Sequence, residues 1–143
     1  MNDLETAKKQ LTQKQLTLII VKNNVTLFET QSHRILGFLK AIEELGRNLK
    51  DASVADKVVG KAVALLCAYA GIKAVYAETL SRNARDVFEG SKITVEWKEF
   101  VDTILDTSKN DVCPFEKEAA KIITPEDAYE KFKALQQKLK TCR

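Results

Sequence analysis

The stretch Val58–Gly71, VVGKAVALLCAYAG, constrains the fold more than any other part of the chain. Ahead of it, the S-x-x-D pattern of Ser53 to Asp56 resembles a capping box, so a helix is expected to start there and run to Gly71. The apolar residues Val58, Val59, Ala62, Val63, Leu65, Leu66 and Tyr69 occupy most of its circumference. A helix with so little polar surface must be covered on more than one side, which places it inside a layered core.

The flanking segments supply the layers. Thr17–Lys22 and Val25–Glu29 are rich in β-branched and apolar residues, and Asn23-Asn24 between them can take the positive φ angles of a tight turn, so the pair reads as a β-hairpin. From Ser32 onward Ile35, Phe38, Leu39, Ile42 and Leu45 recur at helical spacing, and Gly46 is placed to end that helix. Ile72–Leu80 reads as a buried strand, and Ser81–Gly90 as a short helix with Ser81 as N-cap. Ile93, Val95 and Trp97 alternate with Thr94, Glu96 and Lys98, which predicts a strand with one buried face.

Phe100–Leu105 reads as a further helical turn or two before the polar loop Asp106–Asp111. Two helices close the chain. One begins at Cys113; the other has Thr124 as N-cap, Pro125 at its first position, Asp127 three residues after the cap, and a docking stripe of Ala128, Phe132, Leu135 and Leu139. The first residues, Asp3–Gln15, form a polar helical lead-in striped by Leu4, Ala7 and Leu11. This order predicts one three-layer α/β/α domain with a mixed sheet over residues 1–143, residues 1–16 being the lead-in and 124–143 the last helix.

Composition narrows the function classes. At 143 residues, 45% hydrophobic and 30% charged, the chain has the size and balance of a single globular domain. Its net charge of +3 comes from interspersed residues of both signs, which gives no argument for nucleic acid or a membrane as partner. The longest apolar run, Ala62–Ala70, falls far short of the roughly 18 residues of a membrane span. The start MNDLETAKKQ is too polar for a secretory signal, so a cytoplasmic location is expected. Cys67, Cys113 and Cys142 are odd in number and widely spaced, which suggests reduced thiols and neither a disulfide framework nor a zinc knuckle.

The order of elements resembles the cytidine-deaminase-like fold. In active members of that fold the core helix opens with His-x-Glu and the helix after the next strand opens with Pro-Cys-x-x-Cys; the His and both Cys hold zinc and the Glu moves protons. In this chain Gly60, Lys61 and Ala62 stand at the first position and Leu80-Ser81-Arg82-Asn83-Ala84 at the second, so the zinc ligands are missing. The combination D-K-V-V-G-K-A, Y-A-E-T-L-S and V-C-P-F-E between Asp56 and Glu116 resembles a family of uncharacterised bacterial proteins with this fold and no zinc signature. The resemblance implies a fold and a pocket location, no metal or other cofactor, and no known activity.

Several residues could carry chemistry in such a pocket. Cys113, at a helix start followed by Pro114 and Glu116, has two readings: a thiol activated by the helix dipole with Glu116 assisting, or a packed cap residue with Glu116 folding back as a capping-box acid. Lys57 and Lys61 sit four apart beside Gly60, either binding a phosphate or carboxylate together with exposed backbone N–H groups, or forming a solvated helix edge. Ser81, Arg82 and Asn83 offer a second helix start, which the fold resemblance points at the same cleft. Asp56 reads as a helix cap with a lesser role in orienting Lys57 or a ligand, and His33 as a surface residue at a helix start.

Three functions follow as expectations. The first is a non-catalytic protein that binds a nucleotide or other phosphate-bearing small molecule through Asp56, Lys57, Gly60, Lys61, Ser81 and Asn83. The second is a metal-independent transferase with Cys113 as nucleophile. The third is a structural or regulatory protein that docks a partner, a second copy of itself included, on the Phe132, Leu135 and Leu139 stripe.

Overall fold

The computed structural model describes residues 2–32, 35–105 and 113–141, with side chains to residue 138. Five strands form one mixed sheet in the order β2-β1-β3-β4-β5. Strands β1 (Leu18–Lys22) and β2 (Val25–Thr30) make the expected hairpin, with Asn23 and Asn24 both at positive φ, 52° and 66°. Asparagine tolerates that left-handed region better than other residues with a Cβ, which is why the turn forms there. Strand β1 pairs antiparallel with β3 (Ser53–Val59); β4 (Ala74–Ser81) and β5 (Thr94–Val101) then add in parallel.

The parallel strands require crossovers, and helices provide them. Helix α3 (Lys61–Ala70) links β3 to β4, and α4 (Arg82–Gly90) links β4 to β5. Helix α1 (Asp3–Gln13) covers one face of the sheet, burying Leu4, Ala7 and Leu11 against Ile19, Val21, Ala55 and Tyr76. The other face carries α2 (Leu36–Leu45), a 3-10 turn (Gly46–Leu49), α3, α4, α5 (Pro114–Ala119) and α6 (Pro125–Thr141) around a larger core. The architecture is therefore α/β/α, as the apolar girth of α3 demanded: Ala62 to Cys67 are all buried in its centre.

Three expectations change. Ser53–Val59 is a strand and not the first turns of the core helix; α3 begins only after Gly60, so Asp56 caps nothing and Val58 is 46% exposed. A run of seven residues that satisfies both a strand and a helix pattern is settled by pairing, and Val54 and Ala55 have partners on both sides, in β1 and β4. Phe100 and Val101 continue β5 and do not start a helix. The β5 face expected to be buried is only half so: Ile93 is covered and Trp97 is 41% exposed, because β5 is an edge strand with a single flanking crossover.

The last helix turns its stripe inward. Ala128 and Phe132 are fully buried, with Phe132 edge-on to Phe115 of α5 at 6.2 Å, and Leu135 packs against the same core. The side chain of Leu139, the loop 106–111, His33 and Cys142 lie outside the described residues. Among the described residues no helix is long and apolar enough to cross a membrane.

Candidate functional site

Helix α3 lacks a cap of its own, because its N-cap residue is Gly60. Its first amides are satisfied from another helix: the N–H groups of Lys61 and Ala62 donate to Oε1 and Oε2 of Glu116, each at 2.8 Å. Gly60 makes this approach possible by its size. Its φ of −102° is open to any residue, but a Cβ there would overlap the Glu116 carboxylate. Glu116 is held in place by its neighbour Phe115, which is fully buried in the core.

The expected capping box at Cys113 does not form. The Cys113 N–H donates to the carbonyl of Ile104 at 3.2 Å, and its thiol takes no part in a cap hydrogen bond. Cys113 is half-buried against the core. Glu116 thus has the chemistry that the sequence suggested, an acid on helix amides, but on the wrong helix for a local motif. Burial pushes its carboxyl above the usual range, while the amides of Ala62 and Lys61 and the Lys61 ammonium pull the other way.

Beside this contact opens a cavity of about 350 Å³, lined by Lys61, Ser81, Asn83, Asp102, Thr103, Glu116, Lys117 and Ala120. It lies past the carboxyl ends of β4 and β5, the edge of an open α/β sheet where ligands usually bind. Ser81 caps α4 as expected, its Oγ accepting from the Ala84 N–H at 3.1 Å. Arg82 pairs with Asp102 at 3.3 Å on the exposed rim.

The structure therefore brings together Lys61, Ser81, Asn83 and Glu116, with Gly60 behind the carboxylate. Cys113, Asp56 and Lys57 do not line the cavity. Lys57 is exposed on β3. Asp56 is buried between Leu18 and Ala77, its register partners in β1 and β4, with Oδ1 accepting from the Val58 N–H at 3.3 Å. Burial raises its carboxyl to about 7, and burial followed by the Asp56 charge pushes the Cys67 thiol well up. Asp102, Thr103 and Lys117 are lining residues that the sequence did not suggest. The first two would have emerged had Phe100 been read as strand, since strand ends point at such clefts.

No group of three or more His, Cys, Asp or Glu side chains that could hold a metal ion exists among the described residues. Gly60 to Ala62 and Leu80 to Ala84, where the resemblance noted from the sequence expects zinc ligands, contain no His, Cys, Asp or Glu.

A crystal structure of a DUF1893 family protein (TM1506) from Thermotoga maritima matches the fold with a TM-score of 0.83, at 23% identity, covering 93% of this chain and 89% of that one. RibD from Acinetobacter baumannii matches with a TM-score of 0.51 and 14% identity over 83% of this chain, which spans 36% of the RibD chain. The dCMP deaminase of cyanophage S-TIM5 aligns with a TM-score of 0.49 and 17% identity, over 66% of this chain and 93% of that one. No protein of curated function matches the sequence. The fold is of the deaminase-like α/β class. A family described as a domain of unknown function, DUF1893, matches residues 6–139, and the chain belongs to that family.

Proposed function

We propose that the chain is a non-catalytic binding protein for a small phosphate-bearing molecule, a nucleotide or sugar phosphate, held in the cavity between the starts of α3 and α4. The observation that carries this reading is the gathering of the half-buried Lys61, the buried Ser81 and the exposed Asn83 and Lys117 at the carboxyl edge of the parallel strands. A volume of about 350 Å³ falls at the small end of ligand pockets, which run from roughly 300 to 1,000 Å³. The ammonium of Lys61 and the start of α4 supply positive potential. Glu116 already occupies the amides of α3, so the ligand's anion is assigned to Lys61 and the α4 side of the cavity.

A transferase reaction through Cys113 gains no support, because Cys113 is outside the cavity lining and packed against the core. A docking role for the α6 stripe gains no support from Phe132, which is fully buried within the chain.

A thermal-shift screen with ribose 5-phosphate, pyrophosphate and nucleoside monophosphates tests the proposal. Saturation near 100 times the dissociation constant is expected to stabilise the fold by about 2.7 kcal/mol. Replacing Lys61 with Met is expected to weaken binding about tenfold or more, as for loss of a charge-assisted hydrogen bond. No stabilisation by any of these probes in the millimolar range contradicts it.

A further inference from the structure

At the other end of α3, its last turn meets α6 through two stacked rings. The centroids of Tyr69 and Tyr129 are 5.0 Å apart and their planes are 11° from parallel. Lys133, one turn along α6, places Nζ 5.6 Å from the Tyr129 centroid. Tyr69 keeps 40% of its surface exposed and, with Tyr129, lines a cavity of about 630 Å³. The rest of the lining comes from the end of α2 and the 3-10 turn with its cap, and carries Glu43, Arg47 and Lys50.

Packing of α3 on α6 accounts for the ring stack but not for what surrounds it. Both Arg47 and Lys50 are exposed, and among the described residues neither is ion-paired. Gly71, in the left-handed region at φ 77°, lets the Lys50 stem lie close: a Cβ at that position would be 3.3 Å from Lys50 Cγ. The Asp51 N–H donates to the Gly71 carbonyl at 2.8 Å and ties the two walls together. An aromatic platform, already assembled, thus shares a cavity of ligand size with two cations and a single carboxylate, a net positive lining.

We propose that this cavity is a second binding site, one for a planar aromatic ring that carries an anionic group. The ring stacks on the open side of Tyr69 and extends the pair, and the anion is held by Arg47 and Lys50. A ring alone or an anion alone uses only half of the arrangement. The site is at the far end of α3 from Lys61 and does not depend on the function proposed above.

Titration of the isotope-labelled full chain with AMP, followed by amide NMR, tests it. Saturable shifts are expected at Gly46 and Gly71, which line the cavity. Adenosine and ribose 5-phosphate, each carrying half of the chemistry, are expected to bind at this site about tenfold more weakly or worse. Tyr69→Ala is expected to reduce AMP affinity about tenfold, and Tyr69→Phe to retain it. Because Tyr69→Ala also removes a contact between helices, the double change Arg47→Glu and Lys50→Glu, on an exposed turn, gives an independent arm with the same expected loss. AMP shifts confined to Lys61, Ser81 and Asn83 overturn this inference while supporting the first cavity. Absence of any shift at ~10 mM, or an affinity unchanged by the charge reversal, overturns it as well.

Discussion

Glu116 caps a helix to which it does not belong: its Oε1 accepts the Lys61 N–H at 2.8 Å across 55 positions of sequence. The contact joins the short α5 to the first residue of the core helix, Lys61. It also decides which parts of the proposed pocket face a ligand.

Two opposed terms set the strength of this cap. Burial disfavours the charged carboxylate and outweighs the amides and Lys61 that favour it. Glu116→Gln removes the buried charge and keeps one acceptor, but sets its NH2 donor against the second α3 amide, so it is expected to cost about 1 kcal/mol, less than loss of both acceptors. Glu116→Ala leaves the Lys61 and Ala62 amides unpaired and is expected to destabilise by about 1–3 kcal/mol. Urea denaturation of the two variants checks the difference.

Gly60 and Glu116 should be energetically coupled. A methyl group at position 60 displaces the carboxylate, so Gly60→Ala alone is expected to lose about what Glu116→Ala loses. In the double variant the displaced group is gone and φ of −102° suits alanine, so the second change adds little. A double-mutant cycle should return a coupling of about 1–2 kcal/mol, and strict additivity contradicts the cap as described.

Stability should fall as pH rises from mildly acidic to neutral. Below about pH 3.8 Asp56 is protonated folded and unfolded alike; between there and about 7 the unfolded chain ionises it while the folded chain keeps the proton; above about 7 the full penalty is present. A carboxyl moved from 3.8 to about 7 corresponds to on the order of 4 kcal/mol. Glu116, also raised, contributes with the same sign. Asp56→Asn should flatten most of this slope in denaturation measured from pH 4 to 8.

Cys67 is fully buried, and burial together with the Asp56 charge holds its thiol protonated. Native-state iodoacetamide labelling followed by peptide mapping should leave Cys67 unmodified until the chain unfolds.

The sequence carried the local signals well. Asn23-Asn24 announced the hairpin, Ser81 its own cap, and the girth of Ala62–Leu66 the layered architecture, each because the relevant physics lies within a few residues. Ser53–Val59 misled because short apolar runs with a serine at the start satisfy two periodicities, and only pairing with β1 and β4 decides between them. Trp97 alternates correctly, yet its cover depends on what packs over an edge strand. The bond from Lys61 to Glu116 had no local signature at all. A glycine where a cap is wanted is the single hint, and it says nothing about which distant acid arrives.

The most direct test of the central claim follows the amides of Ser81 and Asn83 and the side chain of Lys61 by NMR while ribose 5-phosphate is added to the wild-type chain and to Lys61→Met. The account predicts saturable shifts at these positions in the wild type, weakened about tenfold or more in the variant. Shifts that are absent from this cavity, or that survive unchanged without the Lys61 ammonium, contradict it.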